Sequence, residues 1–127
     1  MKKVYSTKNA PEAIGPYSQA VEVGDLIFIS GQIPLDPDTM EIVSDNVEEQ
    51  THQVMKNLEA ILKEAGLDFT HVAKMTILLD SMENFAKVNE IYASYLQEPF
   101  PARAAFEVSR LPKDVKVEIE AIASQSN

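Results

Sequence analysis

The sequence predicts an α+β fold, a single mixed β-sheet covered on one face by two amphipathic helices. Three observations carry this. Two stretches, Asp45 to Gly66 and Asp80 to Pro99, space their apolar residues three and four apart. Shorter segments rich in β-branched and aromatic residues alternate, or run apolar, between turn residues. Their order is β-β-β-α-β-α-β-β, so two helices can cover one face of the sheet while the other face has no cover within the chain. Such a face calls for burial against another copy, which makes homo-oligomerisation with cyclic symmetry the expected arrangement.

Taken in order, Lys2 to Ser6 is a short strand candidate. The loop that follows, Thr7 to Pro16, is broken by Asn9, Pro11, Gly15 and Pro16. Tyr17 to Val23 alternates as a strand, and Gly24-Asp25 marks a hairpin turn. Leu26-Ile27-Phe28-Ile29 is a continuous apolar run, the pattern of a strand buried on both faces, and it stops at Ser30-Gly31-Gln32. A loop containing Pro34, Asp36, Pro37 and Asp38 extends to about Ser44.

The first helix opens on a D-x-x-E capping box, Asp45-Asn46-Val47-Glu48, and Gly66 suits the position just past its end. Val47, Val54, Leu58, Ile61, Leu62 and Ala65 form its stripe. Val72 to Leu79 is the next strand. A second D-x-x-E, Asp80-Ser81-Met82-Glu83, starts the second helix, whose stripe is Phe85, Val88, Tyr92, Tyr95 and Leu96; Pro99 closes it. Asn89 falls on or beside that stripe, where an amide needs partners: a neighbouring backbone group, or a ligand.

The last two strand candidates, Arg103 to Val108 and Val115 to Ala123, flank a turn at Leu111-Pro112-Lys113-Asp114. Paired as a hairpin about Leu111-Pro112, they would set Arg103, Ala105 and Glu107 on one face with Glu120, Glu118 and Lys116. The opposite face, Ala104, Phe106 and Val108 with Val117, Ile119 and Ala121, would be core. The charged face admits two readings. It is either a set of solvated cross-strand ion pairs, or a carboxylate-binding arginine beside a glutamate able to handle a proton.

Composition narrows the chemistry. The 127 residues, read as one domain (1–127), carry no cysteine, which removes disulfides and thiolate chemistry. A net charge of −9 argues against nonspecific nucleic-acid binding, which depends on Lys and Arg at phosphates. His52 and His71 lie outside any HxxxH or HExxH context, so no metal site is expected. There is no Gly-rich phosphate loop and no GxSxG. No apolar run is long enough to cross a membrane, and the first residues lack the apolar stretch of a signal peptide; a cytoplasmic location is the expectation.

Three separated segments now coincide. They are Ile14-Gly15-Pro16-Tyr17-Ser18-Gln19-Ala20, then Ser30-Gly31-Gln32-Ile33-Pro34, then Phe100-Pro101-Ala102-Arg103 through Leu111-Pro112-Lys113-Asp114 to Val117-Glu118-Ile119-Glu120-Ala121. In order and spacing, from about Ala10 to Ala123, the chain resembles the RidA family, also called YjgF or L-PSP. The resemblance implies a chorismate-mutase-like fold and a homotrimer with a barrel-like core of sheets. It also implies ligand clefts between subunits, and hydrolysis of 2-iminopropanoate and 2-iminobutanoate, or their enamine tautomers, to 2-oxo acids and ammonia. No cofactor is implied.

By that resemblance Arg103 matches the family's carboxylate-binding arginine, and Glu118 the glutamate that positions or activates water. Tyr17 matches a site-lining tyrosine, Ser30 and Gly31 a strand-end pair contacting the ligand, and Asn89 a site-lining amide. Ala105 stands where some members have cysteine, so a backbone role there survives and a thiol role does not. Glu120 is read as structural. Two other functions compete with the deaminase: a noncatalytic 2-oxo acid or amino acid binding regulator using the same cleft, and RNA cleavage, which the charge opposes.

Overall fold

Both apolar stripes fold as helices. In the computed structural model, which describes residues 2–126, they are α1 (Val47–Glu64) and α2 (Phe85–Ser94). The strands are β1 (Lys3–Tyr5), β2 (Ala20–Val23), β3 (Leu26–Gln32), β4 (Val72–Leu79), β5 (Ala102–Glu107) and β6 (Val117–Ser124). This is the order the sequence predicts.

Each helix start lies slightly later than expected. Asn46, not Asp45, is the extended residue that caps α1: its side chain accepts from the Glu49 amide at 2.9 Å. Ser44 completes the arrangement by donating to Glu49 Oε1 at 2.7 Å. Likewise Ser81 caps a 3₁₀ turn, Met82–Asn84, that leads into α2. At the far end of α1, Gly66 takes φ 77° and its amide donates to the Lys63 carbonyl. The Leu67 amide meanwhile donates to the Leu62 carbonyl, which closes the helix with the last carbonyls satisfied.

All six strands join one sheet, in the order β1-β2-β3-β6-β4-β5. Every pairing is antiparallel except β4 with β5, which are parallel because α2 carries the chain back between them. The hairpin expected between the last two strands does not form. After β5 the chain passes through a 3₁₀ turn at Pro112–Asp114, where Lys113 and Asp114 take positive φ, and enters the sheet on the far side of β4. The reason lies in β6 itself. Its Val117, Ile119, Ala121 and Ala123 are all buried, a demand met by the centre of a sheet and not by a two-stranded ribbon.

The strand limits also shift. Tyr17 to Gln19 remains loop, and β2 begins at Ala20. β3 runs on through Ser30-Gly31 to Gln32, and its apolar run alternates: Ile27 and Ile29 are buried, whereas Leu26 and Phe28 are each 39% exposed.

Val54, Leu58, Ile61 and Leu62 of α1 pack with Val88 and Tyr92 of α2 on Ile27, Met75, Ile77, Leu79, Val117 and Ile119. Buried amides tie the loops to this core. Asn57 donates to the Ile33 and Leu35 carbonyls, and Gln50 bridges the Ser44 carbonyl and the Lys116 amide. The second sheet face carries Val4, Val23, Leu26, Phe28 and Phe106, all exposed in the chain by itself. No helix among the described residues is long and apolar enough to cross a membrane.

Candidate active site

One group of candidate residues gathers where β3 meets β6. Ile29 pairs with Ala121 and Gln32 with Ile119, so β3 advances three residues while β6 advances two. The extra residue makes a bulge at Ser30-Gly31, a device common beside active sites because it redirects side chains. Ser30 is anchored there by donating its hydroxyl to the Ser18 carbonyl at 2.6 Å. Glu118 packs against Gly31, leaving no room for a side chain at that position.

The Glu118 carboxyl is half-buried, and this burial pushes its pKa up, with the negative charge of Glu120 adding to the effect. A carboxyl so placed can take a proton more readily than a solvated one. Gly31 also lines a cavity of about 430 Å³ together with Tyr17, Ile14, Ile33, Met40 and Lys113. Tyr17 is exposed at its mouth, so a ligand there would reach the tyrosine hydroxyl. The Gln19 side chain holds the wall by bonding the backbone of Thr7, Ala10 and Pro11.

A second group gathers at the outer strand β5. Arg103 lies on the helix side of the sheet, where its guanidinium stands over the rings of Phe85 and Tyr92, 5.2 and 5.3 Å from their centroids. Arg103 donates to the side-chain oxygen of Asn89, so the amide that interrupts the α2 stripe is spent on the arginine. Among the described residues no carboxylate pairs with Arg103. The result is an oriented, exposed cation with donors left for an incoming anion. Ala105, two residues along, lies on the same face and packs against the core.

The two groups are not brought together within the chain. Arg103 pairs with Met75 and Glu118 with Leu78, which point to opposite faces of the sheet, and β4 lies between them. The expected charged face of Arg103, Ala105 and Glu107 with Glu118 and Glu120 is therefore corrected: the first three share a face with Val117, Ile119 and Ala121. Ala104 and Phe106 accordingly leave the core for the open face. The predicted opposition rested on a hairpin that set Arg103 opposite Glu120; through β4, Arg103 aligns with Ala121 instead, and that one-residue difference in register puts it on the other face.

Sequence reasoning did not give Phe85 and Tyr92 a part beside Arg103; their i, i+7 spacing about Asn89 was the available signal, and it was read only as core. No grouping of three His, Asp or Glu side chains suited to a metal occurs among the described residues.

Comparison with known proteins places this arrangement. The family model for endoribonuclease L-PSP matches residues 7–125. The chain belongs to the RidA (L-PSP) family. It is 57% identical over 123 residues to the RutC family protein PH0854 of Pyrococcus horikoshii, covering 97% of this chain and 98% of that one. It is 54% identical over 125 residues to the mouse 2-iminobutanoate/2-iminopropanoate deaminase, covering 98% and 93%. Among solved structures, E. coli TdcF with bound serine superposes with a TM-score of 0.93 at 44% identity, over 98% of this chain and 99% of that one. The seven residues singled out from the sequence thus fall into two groups: Ser30, Gly31 and Glu118 at the bulge, with Tyr17 on the cavity that Gly31 lines, and Arg103, Ala105 and Asn89 on the helix side at β5.

Proposed function

We propose that this chain hydrolyses small reactive 2-imino acids, such as 2-iminobutanoate and 2-iminopropanoate, or their enamine tautomers, to 2-oxo acids and ammonia. One observation carries the reading: an oriented arginine without an acidic partner and a half-buried carboxyl of raised proton affinity, in a family whose mouse member bears that deaminase name. Because the two lie on opposite faces, the complete site is a cleft between subunits, the Arg103 group of one meeting the Glu118 group of the next, as a cyclic trimer would supply.

In the reaction Arg103 pairs with the substrate carboxylate and so fixes the imine carbon. Glu118 takes a proton from water as the water oxygen attacks the carbon of the N-protonated imine and the C=N π electrons move to nitrogen, giving a neutral carbinolamine. Glu118 then gives that proton to nitrogen and takes the hydroxyl proton as the C–N bond breaks, so that ammonia leaves and a C=O bond forms; the ammonia carries the last proton away as ammonium and Glu118 is ionised again. Imine hydrolysis is intrinsically fast, so general-base help of ~10²–10⁴-fold with positioning is sufficient. Tyr17, Ser30 and Gly31 line the water side, and Ala105 and Asn89 flank the arginine.

Coupling the protein to a threonine dehydratase and following loss of the imine signal tests the activity; equal acceleration by wild type and Arg103→Ala would sink it. The shared cleft has its own test. Arg103→Ala and Glu118→Gln chains, each strongly impaired at substrate concentrations below KM, are co-refolded in equal amounts and assayed under that condition. A site built from two neighbouring subunits regains about a quarter of wild-type activity in a random ring, and a site within one subunit regains none.

The noncatalytic alternative has one observation in its favour, the serine bound by TdcF. A binding module would keep its ligand affinity in Glu118→Gln and have no turnover to lose. RNA cleavage, despite the family model's description, gains nothing from a chain of net charge −9.

A further inference from the structure

We propose that Gly31 is a positioning residue: its missing side chain forms the niche that holds the Glu118 carboxylate, and any side chain there evicts that carboxylate while leaving the fold intact. This rests on the deaminase reading for its effect on catalysis, but the niche itself stands on geometry.

Glycines at Gly15, Gly24 and Gly66 take positive φ, the region that disfavours other residues; Gly31 does not. Its backbone would accept alanine. What excludes alanine is a side chain: a Cβ built at Gly31 would collide with Glu118 Oε2 and stand 3.0 Å from Cδ and 3.2 Å from Cγ. These three atoms, its nearest neighbours, all belong to the one Glu118 side chain. The glycine is thus demanded by the carboxylate and not by its own backbone conformation.

The bulge explains why the two meet. By adding one residue to β3 opposite Glu120, it turns Gly31 toward the β6 side chain, and Gly31 supplies the space. Few charges face the niche. On β6 they are Glu120 and, at the strand's start, Lys116; on β4 the neighbours opposite Glu118 and Glu120 are Leu78 and Thr76, with Lys74 further along. The β5 residues on that face, Ala104 and Phe106, are uncharged. Across the cavity that Gly31 lines stand Glu12, Lys113 and Tyr17. Held against backbone with only a like charge close by, the carboxylate is poorly solvated, which suits a base that must accept a proton near neutrality.

Because the obstructing atoms are the far end of a flexible side chain, Gly31→Ala folds and Glu118 swings into solvent. Three readouts follow. The ¹³C-NMR titration midpoint of the Glu118 carboxyl falls toward the ordinary value of 4.5. The acid limb of the kcat profile moves to lower pH by the same amount. The kcat of imine hydrolysis drops about 10-fold or more while KM stays within about 3-fold. Adding Gly31→Ala to Glu118→Gln brings no further loss of kcat, since nothing remains to displace. A Gly31→Ala protein whose Glu118 titrates as in wild type, or whose kcat is unchanged, overturns the proposal. If wild type hydrolyses no imine, the deaminase reading fails, and the NMR titration alone still decides the niche.

Discussion

The two halves of the proposed site solve opposite electrostatic problems. Glu118 sits on a central strand, beside a bulge, half-buried and near a second carboxylate, so its charge is made costly. Arg103 sits on an outer strand, exposed, braced by two aromatic faces and one amide, so its charge is kept and aimed. A base gains reactivity from poor solvation, whereas an anion receptor gains from orientation without neutralisation. The same sheet provides both because its centre excludes water and its outer strand does not. Placing them on opposite faces also keeps each from neutralising the other inside one chain.

The contrast is broken most severely at the base. Glu118→Gln should lower kcat by ~10²–10⁴-fold while leaving 2-oxo acid binding within a few-fold, measured by the coupled assay and calorimetry. Arg103→Ala should cost ~30- to 1,000-fold in kcat/KM, mostly as KM, because a charged pair loses one member. Supplying the arginine with the acid it lacks is a subtler break. Asn89→Asp keeps the shape but neutralises the guanidinium, so KM for the imine should rise about 10-fold with kcat little changed.

Two pH measurements sharpen the difference. With Glu118 acting as base from a raised pKa, kcat should fall on acidification at a pH above that of an ordinary glutamate, and Glu120→Gln, which removes the nearby charge, should shift that limb to lower pH. The smallest effect is on stability. A carboxyl that binds its proton more tightly folded than unfolded contributes fully below about pH 4.5 and loses that contribution as pH rises through its folded value. Glu118→Gln should therefore melt above wild type at pH 7, with the gap vanishing near pH 4. A variant less stable at pH 7 would show that the carboxylate is not held under strain.

Much of this was legible in the residues. The stripes of Leu58, Ile61 and Leu62 and of Val88 and Tyr92 specify helices because spacing of three and four is local information. The uncovered sheet face followed from counting two helices against one sheet. Each candidate residue was singled out by motif. The shared face expected for Arg103 and Glu118 was not found, because strand neighbours are chosen by long-range burial; the chain distance from Arg103 to Glu118 suggested a hairpin, yet β4 lies between them. The glycine at position 31 reads as contacting a ligand and not as making room for Glu118, because sequence records a missing side chain without recording what fills the space.

By itself, then, the sequence determined the elements, their order and the family, and it named the candidate reactive groups, all from local periodicity and from residue types at short spacing. Only the tertiary structure decided that β6 enters between β3 and β4, that Asn89 serves Arg103, and that Glu118 occupies the gap at Gly31. Those depend on which strands bury each other and on one bulged residue, and a single residue of register reverses every side chain it carries.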